Sequence, residues 1–197
     1  YQKTKLDYFK DKLIQTINFL NKDFINENNL YGSAYDADSE GVEGKFYTWS
    51  YEELNENLKE NLDLFKKKYL ISENGNFEEK NILIENNFDL NLEEKAKIKQ
   101  LEENLLFIRN KRLKPLFDNK SQTDQNAFLI DVMLNASIVL ENNEIREFAI
   151  KKFKTLDEKI SKKVFHCYQS NEIDVFLEDY VFYSKLLINL YEIEGNN

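Results

Sequence analysis

Residues 31–54 read Tyr-Gly-Ser-Ala-Tyr-Asp-Ala-Asp-Ser-Glu-Gly-Val-Glu-Gly-Lys-Phe-Tyr-Thr-Trp-Ser-Tyr-Glu-Glu-Leu. Four carboxylates, Asp36, Asp38, Glu40 and Glu43, crowd into eight residues, and Phe46, Tyr47 and Trp49 follow them. Gly41 and Gly44 stand among the acids in a chain with only five glycines, so the backbone must turn tightly there. Mutually repelling acids beside aromatics that need burial make a costly plain connector. The pattern predicts a shaped acidic loop at the mouth of a pocket. Apolar stretches at 30–35 and 46–49 flank it and are expected to pair as a small β-hairpin. Ser50 with Glu53 forms a capping box, so a helix is expected to begin at Tyr51.

Outward from this stretch the periodicity is helical. Leu6, Phe9, Leu13, Ile14, Ile17 and Leu20 predict an amphipathic helix over about 4–24. Leu54, Leu58, Leu62, Phe65 and Tyr69 extend the helix begun at Tyr51, with a break expected near Asn61. Asn74-Gly75-Asn76 marks a turn, and Asn91 with Glu94 is a second N-cap pattern. Further helices are expected from that cap to about Arg109, then over 124–141, 144–161 and 177–193, with a short β-like run at 164–168. Long helices, alternately short and long loops and little sheet predict an all-α fold of helical hairpins.

The bulk composition narrows the function classes. Apolar residues make up 42% and aromatics 14%, enough for a packed domain. The net charge of −9 argues against a broad basic surface for nucleic acid or anionic membrane. No apolar run reaches the length of a membrane span. Cys167 is the one cysteine, which excludes an internal disulfide and fits a reducing, cytoplasmic setting. The first residue is Tyr1 and the one methionine is Met133, so the chain is expected to be a piece of a longer protein.

The stretch at 31–54 resembles the spermatogenesis-associated thioredoxin-domain-containing proteins and their bacterial and archaeal relatives. The likeness continues in order through Gly75-Asn76-Phe77-Glu78, Arg109-x-x-Arg112-x-x-Pro115 and Asp118-x-Lys120-x-x-Thr123-x-x-Asn126. It ends with Leu177-Glu178-Asp179-Tyr180 before a helix carrying Leu190-Tyr191-Glu192. The block at 118–127 departs from the family pattern: the family's second Asp, its Trp and its Gly are replaced. The resemblance implies the central part of an (α/α) toroid of the six-hairpin glycosidase and sugar-epimerase type, one domain over 1–197. A thioredoxin-like domain of the same polypeptide and the closing helices would lie outside the chain.

A carbohydrate-active or carbohydrate-binding domain is therefore expected, with a sugar-like small molecule as ligand, no cofactor and no metal. Asp36, Asp38 and Asp118 would serve as glycosidase- or epimerase-like acid and base, since two carboxylates in different environments can divide those roles. Tyr47, Trp49, Lys120 and Asn126 would position substrate, and Glu178, Asp179 and Tyr180 would line the rim. Toroid-type epimerases use a pair of histidines, and His166 is the only one here. A calcium reading rests on Asp36-x-Asp38-x-Glu40-Gly41, half of an EF-hand loop, but Tyr47 stands where the bidentate Glu belongs. The rival function is a non-catalytic scaffold or interaction domain that supports the thioredoxin-like domain.

Overall fold

The computed structural model describes the chain except residues 87, 88, 162, 169–172, 196 and 197. In chain order the elements are α1 (Asp7–Asp23), β1 (Ala34–Tyr35), β2 (Asp38–Ser39), β3 (Val42–Glu43), α2 (Tyr51–Leu58), α3 (Leu62–Lys68), β4 (Tyr69–Leu70), β5 (Ile84–Glu85), α4 (Leu92–Arg109), β6 (Phe117–Asp118), α5 (Thr123–Val139), α6 (Asn143–Ile160) and α7 (Leu177–Glu194). Helix dominates, as the periodicity predicts. The chain divides into two compact units, one of residues 1–34 with 117–197 and one of residues 35–116.

The first unit is built around α5, which packs against both α6 and α7. Ala127, Ile130, Met133, Leu134 and Ala136 of α5 form the core with Ile17, Leu30, Tyr31, Ala149, Leu156 and Leu186. A helix buried on most sides needs apolar residues all round, and α5 supplies them. The α5–α6 turn is short. Glu141 takes a left-handed φ of 52°, and Asn142 caps α6 by accepting from the Ile145 N–H.

Segment 26–33 is knitted to 117–126 by amide side chains. Asn26 donates to the Asn119 carbonyl at 2.7 Å and to Ser121 Oγ at 2.6 Å. Asn126 holds Tyr31 from both sides, accepting its N–H at 2.8 Å and donating to its carbonyl at 3.0 Å. Gly32 follows, and a Cβ there would stand 2.4 Å from the Phe117 ring. No side chain fits.

Lys152 is a buried cation in this unit, 1% exposed. Its Nζ donates to the Asn29 carbonyl at 2.7 Å and to Asn29 Oδ1 at 2.5 Å. Burial, with the adjacent Lys151 charge adding, pushes its ammonium down to about 8. Between that value and the ordinary lysine range near 10.5, the unfolded chain holds a proton that the folded chain has released. Stability from this group therefore rises with pH across that window. Relative to Lys152→Met, the wild type should gain stability between pH 7 and pH 10.5, by at most about 3 kcal/mol. Urea unfolding of both proteins at the two pH values checks this.

The second unit packs α2, α3 and α4 around Trp49, Leu54, Leu58, Leu62, Phe65, Leu90, Ile98, Leu101 and Leu105. Both expected capping boxes form. Ser50 Oγ accepts from the Glu53 N–H at 3.0 Å while Glu53 Oε2 accepts from the Ser50 N–H at 2.9 Å. Asn91 and Glu94 do the same at 2.9 and 3.1 Å. The break near Asn61 is a single 3-10 turn at Lys59–Asn61, where Lys59 takes a left-handed φ of 49°. Gly75 is forced by a φ of 75° and by Lys80 N, which would lie 2.4 Å from a Cβ.

The β-hairpin differs from the expected one. The paired strands are β2 and β3, inside the acidic loop, not the apolar stretches at 30–35 and 46–49. Tyr31 makes an isolated bridge to Ile25, and Trp49 one to Asn81. Burial explains this: Tyr31 and Trp49 are 4% and 3% exposed, each a core residue of its own unit. The expected strand at 164–168 reduces to bridges from Cys167 to Gln122 and to Ile173.

Candidate functional site

The acidic loop of the second unit is a two-residue hairpin. Glu40 and Gly41 link β2 to β3, and both have positive φ, 55° and 71°. That is the requirement of a type I′ turn, whose twist matches the strands it joins. Register places Asp38 opposite Glu43 and Ser39 opposite Val42. Like charges directly opposite on a two-stranded ladder oppose its formation. Other contacts must therefore hold the hairpin. Ser39, buried, donates to the Leu113 carbonyl at 2.6 Å. The Gly44 N–H donates to the Ala37 carbonyl at 2.9 Å. Asp36 turns back to accept the Asp38 N–H at 3.1 Å, and Glu40 pairs with Lys45 at 2.8 Å. Asp36 and Asp38 are both exposed.

Arg112 organises the segment after the hairpin. Its Nη1 donates to the carbonyls of Lys45, Phe46 and Thr48 at 3.3, 3.2 and 2.6 Å. Its Nη2 meets Glu53 Oε1 at 3.2 Å, and its guanidinium lies 4.1 Å from the centre of the Trp49 ring system. Trp49 is thus a buried platform for Arg112 and a core residue. Tyr47 is 40% exposed, with its ring against Phe46 and beneath Arg109. A cleft of about 210 Å³ opens here, lined by Ser39, Glu40, Lys45, Thr48, Lys80 and Arg112 among others. Asp36, Asp38, Tyr47 and Trp49 are not among its lining residues.

The remaining expected site residues belong to the first unit. Asp118 and Lys120 pair with each other at 3.0 Å, and Asp118 Oδ1 also accepts the Lys120 N–H. Asn126 is 1% exposed and spends its amide on Tyr31. Glu178 is exposed and Tyr180 is 51% exposed at the start of α7. Asp179 is fully buried and joins two helix starts. Its Oδ1 accepts the Asp124 N–H of α5 at 3.0 Å, and its Oδ2 accepts the Phe176 N–H at the head of α7 at 2.8 Å.

Asp179 also meets His166. Nδ1 of the imidazole lies 3.0 and 3.1 Å from the two carboxylate oxygens and 4.0 Å from Asp124 Oδ1. On the other side of the ring, Nε2 is 2.9 Å from the Gln122 side-chain amide. Thr123 anchors the segment carrying the histidine, its N–H donating to the His166 carbonyl and its hydroxyl to the Phe165 carbonyl. The donor atoms of Asp124, His166 and Asp179 lie within 4.8 Å of one another, the one such set among the described residues.

The chain matches no family model and no curated protein. The geometry therefore carries the functional reading beside the sequence resemblance. Asp124, Gln122 and His166 were not expected at a site, and the one available signal was that His166 is the sole histidine. Its sequence surroundings are apolar, and only the tertiary fold brings residue 166 against 124 and 179. Arg112 fell within a recognised block, but nothing local showed that it would gather three carbonyls. No helix among the described residues is long and apolar enough to cross a membrane.

Proposed function

We propose that this chain is a carbohydrate-binding domain of helical hairpins, related to the six-hairpin (α/α) toroids of the spermatogenesis-associated thioredoxin-domain proteins. The acidic hairpin is its sugar-recognising element. The observation that carries the reading is the Asp38–Glu43 pair, two carboxylates set opposite each other across a two-stranded ladder. Such a pairing opposes folding, and locally unfavourable arrangements concentrate where a ligand is bound. Sugar hydroxyls donate to carboxylates, and the exposed Tyr47 offers an apolar ring face in the same segment.

Much of the family-like pattern is otherwise engaged in architecture: Trp49 in the core of the second unit, Arg112 on three backbone carbonyls and the Trp49 ring, Asn126 on Tyr31, Asp179 on two helix starts. The acids of the hairpin remain facing solvent. Their exposure favours binding over glycosidase chemistry, because an acid/base pair divides its roles through unlike environments. The whole protein would add a thioredoxin-like domain on the same polypeptide.

A thermal-shift panel of mono- and oligosaccharides and sugar phosphates tests the reading. A sugar at about 100 times its Kd should stabilise the wild type by about 2.7 kcal/mol. Asp36→Asn/Asp38→Asn, which relieves the Asp38–Glu43 repulsion, should melt at or slightly above the unliganded wild-type temperature and lose the ligand shift. An undiminished shift in the double variant, or no sugar response in the wild type, contradicts the proposal.

A second reading, a scaffold or partner-binding domain, is favoured by one observation. Helix α7 leaves Leu177, Tyr180, Val181, Ile188 and Tyr191 more than half exposed. Apolar surface on this scale marks a packing face for other protein. Under that reading the sugar panel is silent.

A further inference from the structure

The hydrogen-bond directions around His166 carry information beyond its position. Ser33 Oγ lies 2.8 Å from the Lys120 carbonyl and 3.2 Å from the Gln122 side-chain amide. A hydroxyl has one proton. The shorter contact, to a carbonyl that can only accept, takes it. Gln122 Oε1 stands toward Ser33 and Nε2 toward His166, and exchanging the two amide atoms lets Ser33 Oγ accept from the N–H₂ while the amide oxygen faces His166 Nε2. The imidazole consequently carries its proton on Nε2. In the neutral ring, Nδ1 then presents a lone pair to Asp179 and Asp124, an arrangement that requires a cation among the three.

Charge counting points the same way. Two carboxylates meet the starts of α5 and α7, each worth roughly half a positive charge. About one negative charge is left uncompensated.

We propose that Asp124 Oδ1, His166 Nδ1 and Asp179 Oδ1 bind a first-row divalent cation of the zinc type. One nitrogen and two carboxylate oxygens suit such an ion better than calcium or magnesium, which take all-oxygen shells. Tetrahedral bonds of about 2.0–2.1 Å put ligand atoms about 3.3 Å apart. The 3.0 Å His166–Asp179 separation is near that value. Asp124, whose side chain is 22% exposed, must close in from 4.0 Å. The surroundings already have the form of a metal site. Gln122 fixes the histidine through its far nitrogen, and backbone N–H groups hold Asp179. Three protein ligands leave the fourth position to water, and with it the capacity to activate that water. The competing occupant is a proton on Nδ1.

The test uses the full chain stripped with chelator and titrated with Zn²⁺ by calorimetry and with Co²⁺ by visible absorption. One equivalent should bind, with a d–d band from the cobalt form. Asp124→Asn should abolish the band, and Gln122→Ala should weaken binding about 10- to 100-fold. Circular dichroism confirms that each variant is folded. Absence of stoichiometric binding by the wild type means that only a proton sits there and overturns the proposal. Unchanged binding by Asp124→Asn also overturns it, placing the ion elsewhere.

Discussion

Replacing Asp179 with Ala is expected to cost about 4 kcal/mol of stability. The carboxylate is fully buried and serves three partners, the Asp124 N–H, the Phe176 N–H and His166 Nδ1. Truncation leaves the two helix-start N–H groups without their acceptor and removes the group that faces His166 Nδ1. An orphaned buried donor costs about 1–3 kcal/mol. Asp179→Asn keeps the volume and one acceptor and should cost about half as much. Urea unfolding checks both variants. A loss under about 1 kcal/mol for Asp179→Ala would show that water replaces the carboxylate and that the two helix starts are not tied through it.

Arg112→Ala should cost about 3 kcal/mol, from three carbonyls losing one shared donor and from the lost stacking on Trp49. Arg112→Lys should recover little of this. An ammonium is a point donor and cannot reach the carbonyls and Glu53 together while lying flat on the indole. Glu53→Gln separates the ion pair from the carbonyl contacts. Glu53 is 48% exposed at its side chain, so losing its charge should cost under about 1 kcal/mol. Equal losses for Arg112→Ala and Glu53→Gln in denaturant unfolding would mean that the ion pair, not the carbonyl cluster, stabilises the segment.

Local signals in the sequence translate directly into structure. Ser50 with Glu53 and Asn91 with Glu94 are complete within four residues, and both boxes form where expected. The break at Lys59–Asn61 is equally local. Apolar content points to strands at 30–35 and 46–49, whereas the paired strands are Asp38–Ser39 and Val42–Glu43. Glycine geometry was the better guide, because Glu40–Gly41 fits a type I′ turn and the aromatics were wanted in two cores. The site was legible as a composition, not as roles. Asp36, Asp38 and Asp179 look alike in sequence, yet the first two face water and the third is sealed between helix starts. His166 lies 13 residues from Asp179 but more than forty from Asp124, and no periodicity encodes that meeting.

The most direct test of the carbohydrate reading is an amide chemical-shift titration of the isotopically labelled chain with a sugar from the thermal panel. The account predicts that saturable shifts concentrate at residues 36–48, around Asp36, Asp38, Glu43 and Tyr47, and vanish in Asp36→Asn/Asp38→Asn. Shifts confined to α7, or none at all, would contradict it and leave the apolar face of that helix as the functional surface.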